Sequence, residues 1–257
     1  MNAVDHVRIN RCVSGSDLDD AYRGARETEE TLDRALDWAC TEDLGFLNSR
    51  LSDSGSGLRV SALVFIPGIL GSSMFDRVSR GLLAKGIEPR LHSRRTEQGS
   101  PMEPSPFMEL SGHCPLNMEE RQYVRTFRET LGDLIQGERK TRDRMAATQR
   151  LSWENRAYRA AALLRASGSL DLEEAETLLI DLRFALSTGS APPSENKESD
   201  PYSSMDRLRY AVLPGNIRFL AKGAEGDEIS IGRMRAELVR AYLPRYHIDG
   251  GPWCSKD

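Results

Sequence analysis

Apolar side chains recur at helical spacing most regularly between residues 142 and 186. Leu151 and Tyr158 mark one apolar stripe, and several alanines, which favour helix, surround them. A Ser-Gly-Ser break at 167–169 ends this stripe. A second stripe begins after Asp171, ahead of an acidic first turn that suits the positive end of a helix dipole. The pattern predicts a helical hairpin.

Similar spacing predicts further helices on both sides of the hairpin. They cover residues 16–40, 75–83, 117–135, 205–213 and 233–243. The apolar stretch from Leu58 to Phe75 is compatible with either a buried strand or a buried helix, because periodicity does not separate the two in a short run. Helix is favoured there, since no other segment offers a comparable β-branched partner strand. The predicted fold class is therefore all-α, a multi-helix bundle.

Composition divides the predicted bundle into two domains. Residues 86–116 are rich in Pro, Gly, Ser and charge and predict a long exposed loop. Residues 187–203 have the composition of a flexible linker. We expect an N-terminal helical domain at 1–137, which contains the loop, and a C-terminal helical domain at 138–257, which contains the linker.

Overall composition is that of an ordinary globular protein. Charged residues make up 29% of the chain, the net charge is −4 and the mean hydropathy is −0.50. The longest apolar run, Ser61 to Leu70, is too short to cross a bilayer, and the N-terminus lacks the apolar core of a signal peptide. Four widely spaced cysteines without a CxxC pair suit reduced thiols. The chain is predicted to be neither secreted nor membrane-spanning.

The sequence contains no complete motif of a common enzyme class. The segment VFIPGILGSS (64–73) resembles part of the α/β-hydrolase oxyanion region, with Ser72 or Ser73 as its candidate serine, but the GxSxG nucleophile elbow is absent. Phosphate loops of the GxxxxGK[ST] and GxGxxG types are also absent. The four histidines are scattered without metal-ligand spacing. We therefore predict no enzyme activity, no cofactor and no metal site.

Two clusters of basic residues are the remaining candidate sites. The first, a predicted membrane- or phosphate-binding patch, consists of Arg77, Arg80, Lys85, Arg90, Arg94 and Arg95. The second, a predicted phosphate- or partner-binding patch, consists of Arg125, Arg128, Arg139, Lys140, Arg142 and Arg144. Such clusters attract anionic lipid headgroups or nucleic-acid phosphates, although a solvated helix face has the same composition.

Short segments around the hairpin resemble the matrix proteins of orthomyxoviruses. They include the Glu-Asn-Arg triplet at 154–156, the small-residue break at 167–169 and the EEAE segment at 173–176. Upstream, IPGILG (66–71) and PLNMEERQYVRTF (115–127) occur in the same order as family segments. The negative net charge favours a divergent, thogotovirus- or quaranjavirus-like member.

The resemblance implies a viral matrix protein that polymerises under the envelope. Its implied partners are other copies of itself, anionic lipid at the membrane surface, and viral ribonucleoprotein or nucleoprotein, with direct RNA binding left open. Its implied locations are the virion, the host cytoplasm and the nucleus. The alternatives are a helical interaction or effector protein of bacterial or phage origin, and an α/β-hydrolase-like lipase.

Overall fold

The computed structural model describes residues 7–48, 54–95, 101–189, 201–220 and 228–243. The side chains of 93–95, 101–103, 201, 203 and 228 lie outside that description. The helices are α1 (Leu18–Asp33), α2 (Pro67–Leu70), α3 (Phe75–Leu83), α4 (Glu120–Thr148), α5 (Arg150–Ala166), α6 (Leu172–Ser187), α7 (Pro201–Ala211), α8 (Pro214–Leu220) and α9 (Glu228–Tyr242). The strands are β1 (Cys40–Thr41), β2 (Gly45–Phe46), β3 (Arg59–Phe65), β4 (Glu88–Arg95) and β5 (Pro101–His113).

The all-α prediction is wrong, because five strands form two sheets within the described residues. β1 and β2 make a short antiparallel pair, and the larger sheet has the order β3-β5-β4. β3 pairs with β5 in antiparallel register from Arg59↔His113 to Phe65↔Phe107. The chain therefore combines a sheet with many helices.

The three strands of the large sheet lie where the sequence pattern favours a helix and a loop. The stretch 58–75 begins with β3, which buries Val60, and turns helical only at α2 and α3. Its partner β5 lies in the predicted 86–116 loop, which also contains β4. Prolines concealed β5, since proline removes a ladder donor and argues against a strand. In the half of β5 that pairs with β3, residues 107–113, there is no proline.

Several helix predictions are confirmed. α3 has the predicted bounds, and α1 begins after Asp17, whose side chain accepts a hydrogen bond from the Asp20 backbone N–H at 3.0 Å. The helix predicted to reach residue 40 is too long, because α1 ends at Asp33 and Cys40 begins β1. Asp171 caps α6 in the same way, accepting from the Glu174 N–H at 2.7 Å. α4 differs, because the predicted helix ends at residue 135, ahead of Gly137, whereas α4 runs through Gly137 to Thr148.

The chain forms two compact units. The sheet unit comprises Met1–Leu91 and Phe107–Arg139, and the helical unit comprises His92–Pro106 and Lys140–Asp257. The division into domains at 137/138 stays a prediction, and this boundary falls inside α4. Most of the predicted linker, residues 190–200, lies outside the described residues.

The core of the sheet unit lies between the large sheet and α4. Val60, Met108 and Leu110 contribute from the sheet, and Tyr123 and Phe127 from α4. These five side chains are at most 7% exposed. Burial of this apolar surface, worth roughly 25 cal/mol per Å², holds α4 against one face of the sheet.

The helical unit has its own core, built on the predicted hairpin. α5, which buries Ala160 and Leu164, packs against α6 and α9, and α7 packs against α6 and α9. Buried Arg235 of α9 donates from Nε to the Val212 carbonyl at 3.0 Å and from Nη1 to the Leu170 carbonyl at 2.6 Å. Val212 follows the end of α7, and Leu170 precedes α6. Backbone groups at helix ends lack partners within the helix, so the Arg235 guanidinium supplies hydrogen-bond donors to these two carbonyls. Within the described ranges, no helix is long and apolar enough to span a membrane.

Candidate functional site

The large sheet has one apolar face and one face that is polar near the start of β3. Residues directly opposite each other in antiparallel strands project to the same side. Val60, Ala62 and Val64, opposite Gly112, Leu110 and Met108, therefore form the side that packs on α4. The opposite side, named the polar face here, carries Arg59, Ser61, Glu109, Ser111 and His113. Leu63 and the packed rings of Phe65 and Phe107 lie on the same side, toward the end of β3.

Arg59 and Ser111 are joined on this polar face. The exposed Arg59 guanidinium donates from Nη2 to Ser111 Oγ at 3.1 Å, and Ser111 itself is 7% exposed. A guanidinium carries five N–H donors in a fixed plane and matches phosphate or carboxylate oxygens in bidentate fashion. One donor is used by Ser111, which fixes the orientation of the others.

A glycine-rich turn at 54–57 leads directly into Arg59. Gly55 has φ +110°, and a Cβ there would lie 2.6 Å from Leu116 Cδ2. Gly55 also exchanges backbone hydrogen bonds with Phe46 of β2, at 2.7 and 3.0 Å. Only glycine meets the backbone and steric requirements at this position. The turn therefore fixes the start of β3, and with it the base of the Arg59 side chain.

A buried carboxylate holds the other end of β3. Glu138 of α4, 3% exposed, accepts hydrogen bonds from the backbone N–H groups of Gly68 at 2.9 Å and Ile69 at 2.8 Å. These N–H groups belong to the first turn of α2, where no intrahelical acceptor exists. β3 is thus fixed at both ends, by the glycine-rich turn and by Glu138.

The first predicted basic patch is divided among several elements. Arg77 and Arg80 are exposed on α3, Lys85 follows that helix, and Arg90 is exposed on β4. Lys85 donates from Nζ to Thr130 Oγ1 at 3.3 Å. Arg94 and Arg95 belong to β4, but their side chains lie outside the description. Phosphate binding by this set stays a prediction.

The second predicted basic patch lies along α4. All six side chains belong to this helix: Arg125, Arg128, Arg139, Lys140, Arg142 and Arg144. Arg128 is ion-paired with Asp19 of α1. Arg142 is half-buried, and the other five are exposed. Phosphate or partner binding by this patch also stays a prediction.

Cys114 ends the β5 side of the site and is shielded from solvent. It is 6% exposed, and burial raises the pKa of its thiol. Cys12 and Cys40 are exposed. Because the thiolate is the reactive form, we expect Cys114 to be alkylated by iodoacetamide at pH 8 at least about tenfold more slowly than Cys12 or Cys40. Peptide mass mapping after timed quenching measures the three rates, and a Cys114 rate equal to that of Cys40 would contradict the burial.

Metal-ligating residues do not cluster in the described part of the chain. No group of three His, Cys, Asp or Glu side chains lies close enough there to hold an ion. The chemistry that the described polar face offers is thus anion binding by an oriented guanidinium, with Glu109 as a carboxylate on the same side.

Comparison with known proteins decides the family. The family model described as ATP:guanido phosphotransferase, C-terminal catalytic domain, matches residues 1–141, more than half of the 257 residues. The chain belongs to this family. The matched range contains the whole sheet unit, including the polar face and the glycine-rich turn.

Curated relatives extend the similarity beyond the matched domain. The chain is 27% identical to a protein-arginine kinase of Symbiobacterium thermophilum over 244 residues, which is 95% of this chain and 66% of the relative. It is 27% identical to the protein-arginine kinase of Syntrophomonas wolfei, covering 95% and 65% of the two proteins. A Bacillus cereus protein-arginine kinase is 25% identical, with 95% and 66% covered. The chain thus spans just under two thirds of the length of these relatives.

Membership of this family overturns the functional predictions from sequence. The proposed viral matrix function, with its ribonucleoprotein, lipid and self-assembly partners and its virion location, is wrong, as is the prediction of no enzyme. The helical interaction protein and the hydrolase are not supported either. The segments at 154–156 and 173–176, which resemble the viral matrix proteins, lie in α5 and α6. Charged and alanine-rich helix surfaces of this kind occur in many helical hairpins.

Sequence reasoning missed Arg59 and Ser111. Both become visible only when β3 and β5 are paired. A usable signal was present, because LRVSALVF alternates between polar and apolar side chains from Arg59 to Ala62 after a Gly-Ser-Gly turn. Period-2 alternation after a glycine turn indicates a strand with one solvent-facing side.

Proposed function

We propose that this chain transfers the γ-phosphoryl group of ATP to the guanidinium of arginine side chains in proteins. Family membership supports phosphoryl transfer to a guanidino group, and the curated relatives, named protein-arginine kinases, support protein-bound arginine as the acceptor. The observation that carries the proposal is the Arg59–Ser111 pair on the polar face of the family-matched unit. We place the reaction in the bacterial cytoplasm, where ATP is supplied.

Arg59 suits the donor side of this reaction. In phosphoryl transfer, charge spreads over the phosphoryl oxygens, so catalysis depends on positioning and on cationic donors aimed at those oxygens. The hydrogen bond to Ser111 holds the Arg59 guanidinium plane before the nucleotide arrives, which lowers the cost of organising it. Mg²⁺ bound to the nucleotide would supply further charge neutralisation.

Glu109 suits the acceptor side. It is two residues from Ser111 on β5 and on the same face, about 7 Å away along the strand. A carboxylate there can accept hydrogen bonds from an acceptor guanidinium and orient one of its nitrogens. That nitrogen forms a bond to the γ-phosphorus while the bond from phosphorus to the ADP oxygen breaks. The nitrogen loses a proton to solvent or to a base.

A phosphotransfer assay tests this proposal. The purified chain is incubated with Mg·ATP and an unfolded, arginine-containing protein such as casein that has been dephosphorylated beforehand, and ³¹P NMR detects the acid-labile phosphorus–nitrogen bond. We expect a phosphoramidate signal that is lost at acidic pH and absent when free arginine replaces the protein. A signal from acid-stable phosphate esters, or ATP hydrolysis without phosphoramidate, would contradict transfer to arginine.

A further inference from the structure

A cleft lies on the α4 side of the large sheet. α1 and α4 line this open cleft of about 740 Å³, with Val124 among its lining residues. Tyr123 and Phe127 of α4 pack on the apolar face of the sheet, so the cleft and the polar face lie on different sides of that sheet. The α1–α4 cleft is therefore separate from the site of the proposed phosphoryl transfer.

The walls of the α1–α4 cleft differ in how their charges are balanced. On the α1 wall, Arg23 pairs with Asp20 at 2.6 Å, and Arg26 pairs with Glu29 at 3.1 Å and Glu30 at 3.6 Å. Asp19 of the same wall pairs with Arg128 of the opposite wall. Arginine charge on the α1 wall is therefore largely matched by nearby carboxylates.

Arg121 and Arg125, on the α4 wall of the cleft, are not paired with carboxylates of the described residues. Both are exposed and line the cleft, and neither has an ion-pair or hydrogen-bond partner among the residues that the structure describes. One helical turn separates them, which places both guanidinium groups over the same part of the surface. Like charges at this spacing repel each other, so the pair gains most from an anion held between them.

A hydrogen bond between α1 and α4 holds the base of the cleft next to Arg121 and Arg125. Tyr22 of α1 donates its phenol to Glu120 Oε2 at 2.6 Å, which joins the two helices below the cleft. Burial, followed by that hydrogen bond, raises the pKa of Tyr22 to about 12, so the phenol stays protonated at neutral pH. The helices that carry Arg121 and the α1 wall are thus tied together before any ligand binds.

We propose that the α1–α4 cleft binds a phosphate monoester through Arg121 and Arg125. A dianionic phosphate matches the charge of the two guanidinium groups and offers oxygens for bidentate hydrogen bonds from each. Glu27 and Glu119, which also line the cleft, disfavour an extended polyanion such as nucleic acid. The cleft is much larger than one phosphate group, so the ligand is a phosphate monoester carried by a larger polar molecule.

The test measures binding to the full chain without ATP, so that it is independent of phosphoryl transfer. A fluorescein-labelled phosphoserine peptide and its unphosphorylated form are titrated by anisotropy, with orthophosphate as competitor. We expect the phosphorylated peptide alone to bind, at least tenfold more weakly in 500 mM than in 50 mM salt. Competition by millimolar orthophosphate would identify the phosphate group alone as sufficient, and resistance to it would assign affinity to the surrounding peptide.

Variants separate the cleft from other basic surfaces. The double variant Arg121→Gln/Arg125→Gln should bind the phosphorylated peptide at least tenfold more weakly, whereas Arg34→Gln, which changes an exposed arginine at the end of α1 outside the cleft lining, should bind within twofold of the unmodified chain. Circular dichroism checks that both remain folded. Failure of the unmodified chain to bind the peptide, equal losses in the two variants, or loss of binding in Arg59→Ala would overturn the proposal.

Discussion

Changing Arg59 to alanine is expected to lower kcat/KM for Mg·ATP in protein-arginine phosphorylation by about 100-fold. The physical reason is the loss of the guanidinium that we propose to bind phosphoryl oxygens, in a position where Ser111 already holds its plane. Arg59→Lys should recover little of this loss, because an ammonium keeps the charge but lacks the planar fork. Steady-state kinetics with casein as acceptor measure the effect.

Two further variants make the Arg59 result specific. Ser111→Ala should retain the arginine but release its orientation, with a loss of roughly fivefold, the effect of one ordinary hydrogen bond. Arg77→Ala removes an exposed arginine from α3 and should change kcat/KM by less than twofold. If Arg77→Ala and Arg59→Ala had equal effects, the general charge of the protein rather than the polar face would account for them.

Changing Glu138 to alanine is expected to lower the free energy of unfolding of the sheet unit by about 3 kcal/mol. The change removes a buried acceptor and leaves the N–H groups of Gly68 and Ile69 without their charged partner. Glu138→Gln should cost less, since the amide oxygen can still accept from one of the two N–H groups. Amide hydrogen exchange in β3 and α4 under native conditions reports this free energy.

An exposed glutamate on the same helix provides the control for Glu138. Glu129→Ala changes the same residue type in α4 at a solvent-facing position and should alter the free energy of unfolding by less than about 0.5 kcal/mol. Equal destabilisation by Glu129→Ala and Glu138→Ala would assign the loss to helix propensity or net charge. In that case the contact with α2 would not be the cause.

Local helix signals were readable from the sequence because they depend on neighbouring residues. Asp17 and Asp171 are both short acidic side chains ahead of an apolar stripe, and both cap helices in the structure. α3 has the predicted bounds for the same reason. Gly137 was misleading, since one glycine costs a helix only about 1 kcal/mol and the buried neighbours Leu134 and Glu138 hold α4 in place.

The large sheet and its site were hidden because they depend on contacts between distant residues. Ser111 and Arg59 are 52 positions apart, and their pairing exists only once β5 is recognised as a strand. The prolines at 101, 104 and 106 pointed to a loop, and no local pattern indicates that the following seven residues pair with β3. Glu138, 70 positions from Gly68, is concealed in the same way, because a charged residue in a polar helix segment normally faces solvent.

The most direct test of nucleotide binding at the polar face is amide hydrogen exchange of the full chain with and without Mg·ATP. We expect slower exchange in the glycine-rich turn and in residues 107–113 of β5, where the nucleotide would cover Arg59 and Ser111. Exchange in α5 and α6 should stay unchanged. Protection that is absent from the turn and from 107–113, or that is confined to the helical unit, would contradict a nucleotide site on the polar face.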